Sequence, residues 1–322
     1  MVHEEEIVQH FNCPDSLYIY EKQRMNIARK ILFILIAFVL MPHMASSQPG
    51  LREKIQTVID TSKAKIGVGI LGLDFKDSLV INNDTHYPML SVYKSPLAIM
   101  ILHQVDIGKL SLEQNIHITR EELDTNTWSP IARDFPNQDV DMKLSDLLIY
   151  TVSKSDNNGC DVLFSLAGGT AAVEKYIHDL GVKDLAIKAT EEEMGGKWKV
   201  QYRNWCKPSA MLQLLQILYE GKVLSKSSND FLMKAMIESS NSPARLKGLL
   251  PAGTIVAHKT GTSNTNNKGM KAATNDAGIV TTANARHYAI VVYVSDYPGG
   301  TARGEHMIAE ISKIVFDHYA GK

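Results

Sequence analysis

Ser91-Val92-Tyr93-Lys94 sets a hydroxyl and an amine three residues apart, on one face if the segment opens a helix. A serine hydroxyl becomes a useful nucleophile only when a neighbour takes its proton. A lysine can do so only where burial or nearby positive charge destabilises its ammonium form. By itself the pattern says little, because average composition yields about one Ser-x-x-Lys in a chain of this length. Ser62 and Lys65 form a second. A serine at a helix start followed by an exposed lysine is the ordinary reading of such a pair. Two further motifs, each occurring once, change the balance. Ser155-Asp156-Asn157 follows the helical run "LSDLLIYTVSK", and Lys259-Thr260-Gly261 closes the apolar run "TIVAHK". A serine attacking an amide needs a proton route to the leaving nitrogen, a cation for a substrate carboxylate and backbone donors for the oxyanion. Ser155 can relay the proton, Lys259 can supply the positive field, and Asn157 can bond a side-chain amide of the substrate. The strand edge at Thr262 can offer its N–H beside that of Ser91.

Elements must hold these groups together. Leu51, Ile55, Val58 and Ile59 recur at helical spacing, which predicts a helix over 51–62. "KIGVGILGLD" and "SLVINN" read as a strand pair. From Ser91 to about Met236 the pattern is almost wholly helical. Strand-like runs return in "TIVAHK", "AGIVTT" and "HYAIVVYVSD", and Met307, Ile308, Ile311, Ile314 and Val315 mark a last helix over 304–320. Strands early, helices in the middle and strands late imply an α+β fold. Its antiparallel sheet is flanked by helices, an all-helical lobe is inserted, and the active site lies in the cleft between the lobes. The expected α/β lobe is 48–88 plus 240–322, and the helical lobe 89–239. Residues 183–207 show no period of either kind and carry Glu191, Glu192 and Glu193, the mark of a functional or disordered loop. Pro96 falls inside the helix expected after Ser91, where it costs about 3 kcal/mol unless the first turn is distorted.

The 322 residues suffice for one large domain or two lobes around one core, with apolar and charged fractions of an ordinary globular protein. A net charge of −1 gives no footprint for nucleic acid or an anionic membrane. No His-x-His-x-Asp or His-Glu-x-x-His occurs, so neither a metal nor another cofactor is expected. Near the start, Arg29 and Lys30 precede an uninterrupted apolar run from Ile31 to Met41, then the small residues Ala45 and Ser47 before Gln48. This is the pattern of a cleaved export signal, predicting a secreted or periplasmic protein of residues 48–322 without stable membrane association. A short retained anchor is the alternative. Residues 1–24 precede Met25, which is a second candidate start. Cys13 would leave with the leader, and Cys160 and Cys206 are expected to be ordinary buried cysteines rather than a disulfide framework.

The order Ser-x-x-Lys, Ser-Asp-Asn, Lys-Thr-Gly resembles the three signatures of class A β-lactamases and penicillin-binding proteins. The likeness covers residues 50–320. It implies a monomeric enzyme that opens β-lactams such as penicillins and cephalosporins through an acyl ester on Ser91. It also implies that Lys94, Ser155, Glu191 and Lys259 are catalytic. Class A members carry Glu-x-Glu-Leu-Asn in a long Ω-loop between the second and third motifs. Glu191-Glu192-Glu193-Met194-Gly195 matches it, making Glu191 the carboxylate that activates the deacylating water. Gly195 replaces an Asn that helps hold that water, and Ala189 and Asn204 stand where the loop's Arg–Asp bridge is usual. These departures are similar to a divergent class A subgroup with a widened site that favours cephalosporins. Trp128 matches an aromatic lining one cleft wall. "TNDAG" stands where many members carry an arginine, and Arg245 is expected to replace it as a bidentate partner of the substrate carboxylate, with Thr260, Gly261 and Thr262 also lining the substrate. The same signatures leave two rivals: a penicillin-binding D,D-peptidase without an efficient deacylating base, and a β-lactam sensor that acylates once and signals.

Overall fold

Leu51, Ile55 and Ile59 all lie buried on one face of helix α1 (Pro49–Ser62), the first element that the computed structural model describes. The described residues are 49–321; the expected leader, Cys13 and Met25 lie outside them. Strands β1 (Lys65–Gly72), β2 (Ser78–Ile81) and β3 (Tyr87–Pro88) follow, then a 3-10 turn at Leu90–Tyr93 and helix α2 (Lys94–Asp106). The helical stretch runs through β4 (Asn115–Ile118), α3 (Pro130–Asp134), β5 (Val140–Lys143), α4 (Leu144–Val152), α5 (Asn157–Ala167) and α6 (Thr170–Asp179). It continues with β6 (Leu185–Ala186), α7 (Glu191–Gly196), β7 (Trp205–Cys206), α8 (Pro208–Tyr219) and α9 (Lys226–Ile237). β8 (Val256–Thr262), β9 (Met270–Thr281), β10 (His287–Pro298) and α10 (Gly300–Ala320) close the chain.

The main sheet has five antiparallel strands in the order β2-β1-β10-β9-β8, so the first and last thirds of the chain share one sheet. Strands β9 and β10 are buried almost from end to end; β10 is near-continuously apolar, whereas the first half of β9 buries Lys271, Thr274, Asn275 and Asp276. On one face Ile66, Val68, Val292 and Val294 pack with Ile55 of α1 and Ile308, Ile311 and Val315 of α10. The other face joins the larger core of the helices through Ala277, Ile279, Ala289 and Val291. There β1 needs its glycines: a Cβ at Gly67 would run into the Tyr87 ring and one at Gly69 into Leu212 of α8. At the centre of the helical part, α2 is buried all round from Leu97 to Leu102, as expected of a helix hydrophobic on every face.

Three details sharpen or differ from the sequence reading. Two small sheets, β4-β5 and β3-β7-β6, interrupt the stretch expected to be helical. The four-residue strands "NIHI" and "VDMK" alternate buried and exposed residues, but so short a period-two signal is lost between helical neighbours. The aperiodic 183–207 segment is an Ω-loop in shape, because β6 pairs with β7 and brings its two ends together. Pro96 causes no break. The 3-10 turn ends at Tyr93 and α2 starts at Lys94, so Pro96 sits in the first turn, where N–H groups lack intrahelical partners anyway. Cys160 and Cys206 are free and buried.

Candidate active site

Ser91 is the second residue of the 3-10 turn and follows Leu90, whose φ of 49° is the left-handed region that a branched side chain rarely adopts. One turn on, Lys94 begins α2 with its side chain fully buried. Its Nζ lies 3.1 Å from Ser91 Oγ, 2.6 Å from Asn157 Oδ1, 2.9 Å from the Ser155 carbonyl and 3.0 Å from Glu191 Oε1. Three ammonium hydrogens thus meet four oxygens, and the lysine fastens the first motif to the second and to the Ω-loop.

The second motif divides its labour by residue. Asp156 turns away from the cleft and caps α5, accepting from the N–H of Gly159 (2.8 Å) and Ile131 (2.7 Å) and from Ser129 Oγ. With that anchor buried, Ser155 is held at φ 59°, and its hydroxyl accepts from Lys259 Nζ at 2.8 Å. Strain of this kind costs about 1–3 kcal/mol and persists only where its surroundings enforce it. Asn157 uses one Nδ2 hydrogen on Thr127 Oγ1 (2.7 Å) and lines the cleft with the rest of its amide. Lys259 is buried in the middle of β8, and its Nζ also donates to the Thr260 carbonyl at 3.1 Å. Burial first, and then the charge of Lys94, pushes its pKa well below the usual lysine range.

Glu191 reaches Ser91 from the Ω-loop: Ser91 Oγ donates to its Oε1 at 3.4 Å. Thr190 and Glu193 form a capping box around α7, so Glu193 is occupied in holding the helix start, while Glu192 is exposed. Asn204 closes the loop's neck. Its Oδ1 accepts from the N–H of Lys188 (2.7 Å) and Ala189 (2.9 Å), and its Nδ2 donates to the Ala189 carbonyl (2.8 Å). An amide thus does at this neck what an ion pair does elsewhere.

The loop's seat was not foreseen. Asp161 of α5 accepts from the N–H groups of Glu191 (2.8 Å) and Glu192 (2.9 Å), docking α7 over Ser91. The available signal was its position four residues after Asn157, on the same helix face. Burial raises the Asp161 carboxyl to about 6, against the lowering effect of those two N–H groups. Asn275 and Thr127 were also missed.

Beside the Ser91 turn lies a cavity of about 650 Å3 lined by Leu90, Thr127, Trp128, Asn157, Glu191, Gly195, Thr262 and Asn264, among others. Trp128 forms part of its wall, 57% exposed, with Nε1 donating to the Lys154 carbonyl. Gly195 lines it and contributes no side chain. Gly261 is required for close approach, because a Cβ there would overlap the Met89 carbonyl just before the Ser91 turn. Thr262 presents its N–H at the free edge of β8. The next residue, Ser263, donates to Ala273 across the ladder at 3.0 Å, and alternation turns the Thr262 N–H the other way.

Arg245 requires a correction. Its guanidinium is wholly buried and donates to the Gly261 carbonyl (3.1 Å), the Asn275 carbonyl (2.9 Å), Thr262 Oγ1 (2.6 Å) and Glu305 Oε1 (3.3 Å). With four of five donors on protein acceptors, it offers no bidentate face to a substrate carboxylate.

A family model described as the β-lactamase enzyme family matches residues 50–319. The chain belongs to that family. β-Lactamase VEB-1 of Pseudomonas aeruginosa is 44% identical over 301 residues, 92% of this chain and all of the relative. The crystal structure of a β-lactamase from Chitinophaga pinensis is 53% identical, with a TM-score of 0.82 over 84% of this chain and 99% of that one. A class A β-lactamase from Bacteroides cellulosilyticus is 38% identical, with a TM-score of 0.81 over 84% of this chain and 98% of its own. The chain is thus a β-lactamase of class A, with the antiparallel α+β fold of that class.

In this β-lactamase Asp161 links pH to loop stability. Its folded pKa of about 6 exceeds the ordinary 3.8, so its contribution is full below the unfolded value and is lost as pH rises through about 6. Asp161→Asn removes that titration. From pH 7 to pH 5 the parent is expected to gain stability relative to the variant, by about 1 kcal/mol. Denaturant melts of both proteins across that range check it; parallel curves would contradict it.

Proposed function

We propose that this β-lactamase hydrolyses penicillins and cephalosporins through an ester on Ser91, inactivating the antibiotic and so conferring resistance. The single observation that carries the reading is the convergence of Lys94 Nζ and Glu191 Oε1 on the Ser91 hydroxyl. In the resting network Lys94 donates to Ser91 Oγ and Ser91 donates to Glu191. Glu191 therefore takes the hydroxyl proton as Oγ attacks the lactam carbonyl. The N–H groups of Ser91 and Thr262 receive the developing oxyanion, the kind of stabilisation that weighs most in acyl transfer. The lactam nitrogen departs with a proton from Ser155, replenished along the Lys259–Ser155 contact. Glu191 gives up the Ser91 proton to solvent, which restores Lys259, and as a carboxylate again it deprotonates a water that attacks the ester; that proton returns to Ser91 Oγ as the ring-opened acid leaves.

The acyl side chain of the substrate enters the cavity beneath the Ω-loop, where the Asn157 amide meets its carbonyl. All these groups come from one chain, so a monomer suffices. Steady-state hydrolysis of a chromogenic cephalosporin by the purified protein tests the reading. Activity is expected to survive dialysis against a strong chelator, because the nucleophile is a side chain; chelator-sensitive turnover would contradict a serine mechanism.

The leader pattern supports export to the periplasm or medium with cleavage after Ser47. Among the described residues, no helix is long and apolar enough to cross a membrane. N-terminal sequencing of the exported form is expected to begin at Gln48. A mature protein that kept residues 31–41 would favour the sensor reading.

A further inference from the structure

Gly261 and Asn275 face each other across β8 and β9, and Ser263 pairs with Ala273 through the hydrogen bond of its N–H. That pairing alternates, so the Gly261 carbonyl points inward to the ladder and the Thr262 N–H points out to the cleft. The two groups are opposite ends of one rigid peptide plane. Arg245 Nη1 donates to the inward end, the Gly261 carbonyl, at 3.1 Å.

We infer that Arg245 is a positioning residue for the oxyanion hole: it fixes and polarises the Gly261–Thr262 peptide, whose N–H receives the substrate's carbonyl oxygen. A cation on the carbonyl end draws electron density through the amide and strengthens the N–H as a donor, as hydrogen bonds in a chain polarise one another. Preorganisation of the donor is what gives such a site its power, and a buried guanidinium bonded on several sides allows little rotation of the plane.

The brace also reaches the second donor. Nη1 holds the Asn275 carbonyl at 2.9 Å. The Asn275 side chain donates to the carbonyls of Pro88 (2.7 Å) and Met89 (3.1 Å) and accepts from the Val294 N–H (3.2 Å). Met89 leads into the left-handed Leu90 and so into the N–H of Ser91. Arg245 and Asn275 thus couple the two edges of the oxyanion hole through the sheet. Gly261 allows no slack between them, since any Cβ would strike the Met89 carbonyl. Leu246, the neighbour of Arg245, is itself tied by its N–H to the buried Asp276 at 3.2 Å.

The inference rests on the reading that Ser91 is acylated, and the test separates the two. In a Glu191→Gln background the ester persists, and its carbonyl stretch in difference infrared spectra reports the hydrogen bonds it receives. Arg245→Ala is expected to move that band to higher wavenumber and broaden it. In an otherwise parental enzyme it should lower kcat about tenfold, short of the about 10²–10³ lost when a donor is removed outright. KM should stay within about twofold, the pattern of an interaction made in the transition state. The loss should be equal for a cephalosporin and its carboxylate methyl ester. Arg245→Lys, which keeps charge and bulk but not the planar fork, should shift the band by a smaller amount, and it decides the matter if the alanine variant fails to fold. An unchanged band, or a loss confined to KM for the free carboxylate, would overturn the inference and make Arg245 a carboxylate partner. Failure of the Arg245-intact protein to form any ester would instead sink the acyl-enzyme reading itself.

Discussion

Ser91→Ala is expected to abolish β-lactam turnover, with kcat falling by about 10⁶, the size seen when a serine nucleophile is deleted from a hydrolase. The hydroxyl makes two contacts, one from Lys94 Nζ and one to Glu191 Oε1. Removing it leaves Lys94 with Asn157 Oδ1, the Ser155 carbonyl and Glu191, enough acceptors for its three hydrogens. No buried polar group is orphaned, so the melting temperature should hold or rise. The variant should still bind a penicillin reversibly, because the cavity and Lys259 are untouched. Stopped-flow absorbance and a thermal melt on one preparation check both halves. Retained hydrolysis in a folded variant would place the nucleophile elsewhere.

How much of this was legible depended on whether a residue's role is written in its own neighbourhood. The sheet could be read because β10 is buried on both faces and nearly continuously apolar, whereas β9 is as buried but polar at Lys271, Thr274, Asn275 and Asp276, so only its second half read as a strand. The nucleophile turn could be read because Ser91 and Lys94 act three residues apart. Glu191 could be placed only by resemblance, since nothing in three consecutive acids says which one faces a serine 100 positions away. The structure separates them by the capping box that engages Glu193 and by the Asp161 seat under α7. Asp161 and Asn275 act through backbone groups of distant segments, and such contacts leave no spacing to detect. Arg245 misled for a related reason. Its type suits a carboxylate, but whether a guanidinium faces solvent or sheet is decided by packing, and here four donors are turned inward. Proline 96 misled in the other direction, because the α-helix starts three residues later than the motif does.

Glu191→Gln carries the second large effect, because it separates acylation from hydrolysis. The ester on Ser91 survives until a water beside it is deprotonated. Glu191 is the carboxylate whose oxygen lies 3.4 Å from Ser91 Oγ and 3.0 Å from Lys94 Nζ. Glutamine keeps the shape and can still accept from Lys94, but it cannot take a proton. General-base assistance is worth about 10²–10⁴ in rate, and deacylation should slow by that amount. Removing the Glu191 carboxylate takes away the negative charge that favours the Lys94 ammonium, and a neutral Lys94 amine, 3.1 Å from the hydroxyl, can then take the Ser91 proton, so the ester should still form. Glu192→Gln leaves an exposed residue changed and should turn over as the parent does. Glu193→Gln can keep the capping box, since glutamine also fills that position, and should do likewise.

Intact-protein mass spectrometry of Glu191→Gln after mixing with a penicillin tests the central claim most directly. The predicted result is a stable adduct, heavier than the protein by one whole penicillin, that disappears when Ser91 is also replaced by Ala. A Glu191→Gln protein that hydrolyses at the parental rate and shows no adduct would contradict the assignment of the Ω-loop and its base.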